Sequence, residues 1–443
     1  MKLENLTFRG GVGVPHYKEL TEGLPIEKAK EPAIVYIPLH QHTGAPCEPI
    51  VKVGDSVKVG QKIGQSSAFV SAPVHSSVSG VVKSITEMPT PTGQKVKCVV
   101  IESDGKDELH ESVKPKGSLE SLTQKEILEL IKEAGITGMG GAGFPTHVKL
   151  SPPPEKKIDT ILINGAECEP YLTADHRVMV EYPEKIVFGL KAIMKAVGVN
   201  RGIIGIEKNK PDAILAIREA AKSEPNIEVA TLKVKYPQGD EKRLINAILG
   251  REVPSGGLPM DVGAVVCNVS STKAIADAIL EGKPLYERVV TVTGHGIKEP
   301  KNLMVKIGTP FKDLIEQCGG FTGTPGKIIA GGPMMGISQY SIDVPIIKGS
   351  NGILVLTEKE AKPEKVNPCI KCGKCLEVCP VKLQPLYLAG YAMKKNFDKA
   401  EEYHALDCVE CGSCSYICPA KRPLVESIRL AKREIIAKRK SKR

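Results

Sequence analysis

The sequence predicts a multidomain α/β protein: an amino-terminal β module, a Rossmann-like α/β domain, a small mixed module, and a helical cysteine-rich end. Three observations carry that prediction. Val51, Val53, Val57 and Val59 are punctuated by Gly54, Asp55 and Gly60, the pattern of short strands joined by tight turns. Between residues 117 and 283, short apolar runs alternate with helical stretches, as in a parallel sheet covered by helices. Near the end, two cysteine runs share one spacing, Cys369 to Pro380 and Cys408 to Pro419. At 443 residues the chain has room for about three domains with cores of their own. The expected division is an arm over 1–32, the β module over 33–112 and the α/β domain over 117–283. The mixed module follows over 284–345, the cysteine-rich domain over 346–430 and a basic tail over 431–443.

In the β module, EPIVKVGDSVKVGQKIG and SAPVHSSVSGVVKSI form two half-repeats. They resemble the flattened barrel, or barrel-sandwich hybrid, of biotinyl and lipoyl carrier domains. Such carriers bear a modified lysine on the hairpin between the halves. No lysine stands between Lys62 and Lys83, so the expectation is a structural module without a swinging arm. His40, His42 and Cys47 lie among Gly and Pro residues in QHTGAPCEP, which reads as an ordinary loop rather than a metal site.

A helix is expected after Thr123, which has capping-box spacing to Glu126 and is followed by Ile127, Leu128, Leu130 and Ile131 on an apolar face. Gly135 ends it and opens GITGMGGAGFPTHVKL. Gly138, Gly140 and Gly143 satisfy G-x-G-x-x-G, with Gly141 between them, but the loop follows a helix instead of the strand of a dinucleotide fingerprint. Glycines still let backbone N–H groups close on a phosphate or lie flat against a ring, and Lys149 adds a charge nearby. Next, Ile161, Leu162 and Ile163 form a short buried strand, with Asn164, Glu167, Glu169 and Asp175 at or beyond its carboxyl end. Open α/β sheets bind ligands there. A second strand-like run, GIIGIE, leads to Glu207 and Asn209.

Each cysteine run reads C-x2-C-x2-C-x3-C-P, the spacing by which bacterial two-cluster ferredoxins hold a pair of iron–sulfur cubanes. Three thiolates of a run wrap one cluster, and the fourth lies too far round the turn and serves the other. Cys369, Cys372, Cys375 and Cys418 are therefore expected on one [4Fe-4S] cluster, and Cys408, Cys411, Cys414 and Cys379 on the second. Zinc needs no proline after a fourth cysteine. Cluster assembly needs reduced thiols and so a reducing compartment. Between the runs, residues 383–405 read as a helical pair, and Met334–Met335 in GGPMMG as packing.

GMGGAGFPTHVKL, the strand after it and NGAECEP resemble the flavin-bearing, NADH-binding subunit of respiratory complex I. With the carrier-like module in front and two ferredoxin runs behind, the closer resemblance is to the RnfC family of the Rnf electron-transport complex. FRGGVGVPH, QHTGAP, IEKNKPDA, YPQGDEKRLI, REVPSGGLP, ERVVTVTG and IAGGPMMG all look like that family's blocks. The resemblance implies FMN, NAD(H) and two [4Fe-4S] clusters. It places Gly138, Gly140 and Lys149 at the FMN phosphate, and Asn164 and Glu167 beside the flavin. Phe144 and Glu169 match positions on NADH, Glu207 an acid of the pocket, and Asn268 and Thr272 a flavin-phosphate turn. Ala166 and Val269 depart from the complex I pattern, which has an acid and an asparagine there. Residues 284–345 resemble the β-grasp (SLBB-like) module that follows the flavin domain.

The implied activity is that of an electron-input and output subunit in an ion-translocating, Na+ or H+, ferredoxin:NAD+ oxidoreductase, where a flavin converts hydride electrons into single ones. The implied partners are membrane-embedded and ferredoxin-like Rnf subunits, with ferredoxin reached indirectly, and the implied place is the cytoplasmic face of the bacterial membrane. No apolar run approaches the length of a membrane span, and the first residues have no signal-peptide core. Two other readings compete: a soluble reductase of cobalamin-reductase type with the same architecture, and a non-catalytic scaffold. The charge of +10 is concentrated at the end, with seven Lys or Arg and one Glu from Lys432 to Arg443. That run reads as a solvated tail or an anchor to an acidic partner or anionic membrane surface. With 4% aromatic residues and none interleaved in the run, nucleic acid is not an expected partner.

Overall fold

The computed structural model describes residues 3–441. At its centre four parallel strands lie in the order Ile227–Leu232, Gly202–Glu207, Thr160–Gly165, Ala264–Asn268. Ile161 and Ile163 pack on one face of this sheet and Leu162 on the other, and both faces are covered by helices. That double burial is why these strands read as continuous apolar runs rather than alternating ones. The chain winds outward from Thr160–Gly165 through the first two neighbours, then returns to place Ala264–Asn268 on its other side. A switch point therefore opens between the carboxyl ends of Thr160–Gly165 and Ala264–Asn268, where Asn164 and Asn268 stand in register.

The expected helix spans Gln124–Glu133, with the Thr123–Glu126 capping box formed in both directions. Gly135 follows it at φ +64, a left-handed turn that suits glycine. Helices Ala174–Glu181, Pro183–Val197, Pro211–Ala220, Glu241–Leu249 and Val269–Leu280 complete the α/β domain.

The β module holds two antiparallel sheets around Val35, Ile37, Val57, Ile63, Val74, Val82 and Ile101. Of the four valines that suggested strands, Val51, Val57 and Val59 are buried, whereas Val53 is exposed in the turn before Gly54. The alternation there marks a turn between Glu48–Pro49 and Ser56–Val57.

The arm and the mixed module differ from the expected division. Leu6 pairs with Leu232 and Val12 with Tyr236, and Ile26–Lys28 runs parallel to Lys301–Lys306. The first residues are thus stitched into two sheets. In the six-stranded sheet, Gly352–Thr357 lies between Glu287–Thr293 and Pro325–Ala330, although it falls beyond the expected boundary at 345. Its partners are distant in sequence, and no local signal announces them.

The cysteine-rich domain packs helices Pro385–Met393, Phe397–Glu402 and Leu424–Ser441 around Leu388, Ala392, Ala400, Ile428 and Ile435. The basic run is not a separate tail. Ala431 and Ile435 are buried in this core, and Lys432 pairs with Glu410 at 2.7 Å. Arg439 pairs with Glu401 at 2.6 Å. Lys442 and Arg443 lie outside the described residues. No helix among the described residues is long and apolar enough to cross a membrane.

Candidate functional site

The glycine loop sits over the switch point. The Gly138 N–H donates to the Phe144 carbonyl at 2.9 Å and Thr137 bridges Pro145, closing the loop on itself. The Met139 N–H donates to Ser271 Oγ at 2.9 Å, which ties the loop to helix Val269–Leu280. A Cβ at Gly140 would come within 2.7 Å of Asn268 Nδ2, so only glycine lets the backbone lie this close. Asn268 caps that helix, its Oδ1 accepting from the Ser270 N–H at 2.8 Å while Nδ2 donates to Asp175 Oδ2 at 2.7 Å. Ser270 Oγ donates to the other Asp175 oxygen at 2.5 Å. From sequence Asp175 is legible only as an acid beyond a strand, and Ser270 gives no signal, because the contact between them spans remote parts of the chain.

The remaining flavin-side positions divide. Lys149 is half-buried and reaches Glu241 Oε2 at 3.4 Å and the Val266 carbonyl at 3.1 Å, at the carboxyl end of the sheet. Asn164 uses its amide within the turn, donating to the Gly239 carbonyl at 2.8 Å and accepting the Ala166 N–H at 3.0 Å. Thr272 does not reach the loop: it is fully buried, its hydroxyl donates to the Asn268 carbonyl at 2.8 Å, and its methyl packs toward Gly189. Phe144 is partly buried at the end of the loop.

The acids are held by partners that the sequence does not reveal. Glu167 accepts the N–H groups of Asp175 at 2.9 Å and His176 at 3.2 Å, and so caps helix Ala174–Glu181. Burial raises its pKa. Glu207 does not line an open pocket. It is buried and paired with the equally buried Lys210 at 3.0 Å, since an acid without water needs a counter-charge. Lys18 from the arm is buried too, donating to the Glu169 carbonyl at 2.9 Å and to the Leu172 carbonyl. Burial lowers its pKa.

Glu169 links three parts of the molecule. Its carboxylate accepts the N–H groups of Met334 at 3.1 Å and Met335 at 2.9 Å from the loop of the six-stranded sheet. Tyr236 Oη lies 3.5 Å from Glu169 Oε1 and donates to the Cys411 carbonyl at 2.8 Å. Burial pushes Glu169 up to about 7. Cys168, Tyr236, Met334, Val12 and Cys411 pack as one cluster, so Met334 is an interface residue, whereas the Met335 side chain is exposed.

Cys379, Cys408, Cys411 and Cys414 line one shared cavity, together with Pro380 and Gly412. Burial raises the Cys414 thiol, and the nearby charges of Cys408, Cys411 and Cys379 add to that rise. Burial also raises Cys375, with smaller contributions from the nearby Cys418 and Cys369. The two groups differ in setting. Cys379, Cys411 and Cys414 are buried, Cys411 of them beside Tyr236 of the α/β domain, whereas Cys369 and Cys372 are exposed. Gly10 of the arm presses on the Cys379 carbonyl, where a Cβ would stand 2.8 Å away. Four thiols around a cavity suit a cubane, which gives each thiolate its own iron.

Comparison with known proteins agrees with these parts. Residues 6–106 match the RnfC barrel sandwich hybrid domain, 131–277 the Nuo51 FMN-binding domain, 289–338 the SLBB domain and 368–421 the 4Fe-4S dicluster domain. The RnfC-type component of the Na(+)-translocating ferredoxin:NAD(+) oxidoreductase complex of Acetobacterium woodii is 54% identical over 99% of both chains. The chain belongs to the RnfC family. The counterpart from the proton-translocating ferredoxin:NAD(+) oxidoreductase complex of Clostridium ljungdahlii is 53% identical, covering 97% of this chain and 94% of its own. That from the ion-translocating oxidoreductase complex of Rhodobacter capsulatus is 42% identical, covering 97% and 83%. As an RnfC protein the chain carries an FMN-binding domain and a two-cluster domain, and its multidomain α/β fold is the expected one.

Proposed function

We infer that this RnfC protein exchanges electrons between NAD(H) and its complex through FMN at the glycine loop and two [4Fe-4S] clusters. The reading is that of a peripheral subunit, on the cytoplasmic face of the membrane, of an ion-translocating ferredoxin:NAD+ oxidoreductase. When bound, FMN takes an electron pair as hydride and releases electrons singly, and each cluster carries one. The observation that carries the reading is the Glu169–Tyr236–Cys411 contact, which brings the nucleotide end of the sheet to the inner cysteine cavity without an intervening domain.

The residues take roles accordingly. Gly138, Gly140, Gly141 and Gly143 open backbone for the cofactor, with Asn268, Ser270 and the N-terminus of helix Val269–Leu280 below them. Lys149 stands ready to exchange Glu241 for a phosphate. Cys379, Cys408, Cys411 and Cys414 would hold the inner cluster, and Cys369, Cys372, Cys375 and Cys418 the outer one. Exposed Cys369 and Cys372, with Ile370 exposed between them, form the exit toward membrane-embedded and ferredoxin-like subunits and, through them, ferredoxin. Ion movement then belongs to those subunits. Full-length identity to components of such complexes favours this reading over a soluble cobalamin-type reductase.

The test is the reconstituted protein with iron, sulfide and FMN restored. NADH should bleach the flavin and then the clusters, and dithionite should bleach the clusters directly. Clusters reduced by dithionite but never by NADH would refute the reading.

A further inference from the structure

Two cations of the last helix close on the second cysteine run instead of standing free in solvent. Lys432 Nζ donates to the Cys408 carbonyl at 2.6 Å and pairs with Glu410 Oε1 at 2.7 Å. Arg429 Nε donates to Glu410 Oε2 at 3.1 Å, and its Nη2 to the Glu410 carbonyl at 3.3 Å. The stretch from Cys408 to Glu410 is thus held at two carbonyls and one carboxylate. We propose that Lys432, the first cation of the basic run, is a positioning residue of the inner cluster. It holds the Glu410 turn against Cys408 and sets a positive charge beside the sulfurs to which reduction adds negative charge. The inference rests on the reading of Cys379, Cys408, Cys411 and Cys414 as one ligand set, and extends it beyond the cysteine runs.

The duplicated motif supplies the comparison. Lys371 and Glu410 occupy the same place in the two runs, between the first and second cysteines. Both have left-handed backbone, at φ +56 and +57. Both donate their N–H to the sulfur of the preceding cysteine, Lys371 to Cys369 Sγ at 3.3 Å and Glu410 to Cys408 Sγ at 3.4 Å. The outer run makes this turn with an exposed Lys371 that has no ion pair among the described residues, so the turn alone needs no buttress. Arg429 and Lys432 therefore add something particular to the inner run. Local net charge and hydrogen bonds to the sulfurs are among the factors that set an iron–sulfur potential. Two cations against the one carboxylate of Glu410 leave a single positive charge. The Lys432 side chain is only 16% exposed, so solvent screens it less than an open lysine. Its place is fixed by Ile428, Ala431 and Ile435, which bury the same helix in the domain core.

The test is a potentiometric titration of the reconstituted protein followed by electron paramagnetic resonance. Lys432→Met keeps the aliphatic stem and removes the charge, so the inner signal should shift to lower potential while the outer one stays in place. Glu410→Gln keeps the backbone turn and removes the opposing charge, so the inner signal should shift to higher potential. Lys432→Arg should restore the wild-type value. Lys438→Met, which removes an exposed cation further along the helix, should move neither signal. Loosening of the structure alone would not give opposite shifts. The moving signal should be the one that Cys379→Ala abolishes. Inner signals that stay in place in both variants or shift the same way overturn the proposal, as does a shift confined to the outer signal. If Lys432→Met loses iron, Glu410→Gln decides alone: an upward shift supports the proposal, and no shift or a downward one overturns it. A wild type that lacks two cubane signals defeats the reading of the ligand sets instead, whatever the variants do.

Discussion

The hydroxyl of Tyr236 donates to the carbonyl of Cys411 at 2.8 Å, so a residue of the α/β domain is bonded to the backbone of a buried cysteine of the second run. Arg243 adds a second such bond, to the Pro380 carbonyl. These contacts fix the distance between nucleotide end and cluster cavity, and electron-transfer rates depend on that distance. Tyr236→Phe keeps the ring in its packing and removes only the hydroxyl. It should leave iron and flavin content normal and leave NADH oxidation by an artificial acceptor unchanged. Reduction of the clusters by NADH should slow, and the inner-cluster potential should shift. A variant with wild-type cluster reduction and potential would reduce Tyr236 to a packing residue.

The crossed ligand sets give a second expectation. The reconstituted protein should hold about eight iron atoms, and Cys379→Ala should bring this near four by loss of the inner cluster. Cys418→Ala should remove the exposed one instead. Electron paramagnetic resonance of the reduced proteins distinguishes the survivors. If Cys379→Ala loses the cluster of Cys369, Cys372 and Cys375, the crossing is wrong.

Burial of the Glu207–Lys210 pair sets a third. Lys210→Ala leaves Glu207 without a counter-charge in a site closed to water, which should destabilise the α/β domain by about 3–5 kcal/mol. Removing both charges in Lys210→Ala with Glu207→Gln should cost less than Lys210→Ala alone, and Glu207→Gln alone completes the series. Urea unfolding of the series, read as a double-mutant cycle, measures the coupling. Additive effects would show that the two charges do not depend on each other.

How much of the molecule is legible in its sequence follows from how local each signal is. The cysteine runs, the Thr123–Glu126 capping box and the apolar strand at 161–163 are set within a few residues, and each can be read directly. The acids of NGAECEP are legible as a group but not in their use. Glu167 serves as a helix cap and Glu169 as an anchor for Met334 and Met335, because their partners come from later in the chain. Lys18 gives no signal at all, since a lone lysine in an arm reads as solvated until the fold buries it. The basic run misleads for the opposite reason: its charges dominate the composition, while Ala431 and Ile435 continue the buried face that Leu424, Val425 and Ile428 begin on the same helix. Deleting residues from Lys432 onward would therefore remove part of a core, and charge substitutions at Lys438 and Arg439 are the cleaner probe of docking.

The last prediction concerns pH. Glu169 is enclosed by the Gly332 backbone, where a Cβ would stand 2.3 Å from its Oε2, and burial raises it from the usual 4.5 to about 7. The N–H groups of Met334 and Met335 oppose that rise but do not cancel it. Because its folded value exceeds its unfolded one, the native state binds this proton more tightly than the unfolded chain does. The stability it contributes is therefore fully present below about pH 4.5 and is lost as pH rises through about 7. Glu169→Gln cannot titrate. The difference in unfolding free energy, wild type minus variant, should fall as pH rises from about 5 to 7 and level off above that, with a total on the order of 3 kcal/mol at most. Urea titrations of both proteins at several pH values measure it. A difference that stays flat, or rises with pH, would mean that the carboxylate is ionised throughout and that its two amide partners outweigh burial. In the expected case, the Met334–Met335 loop is held by a group that changes charge near neutral pH.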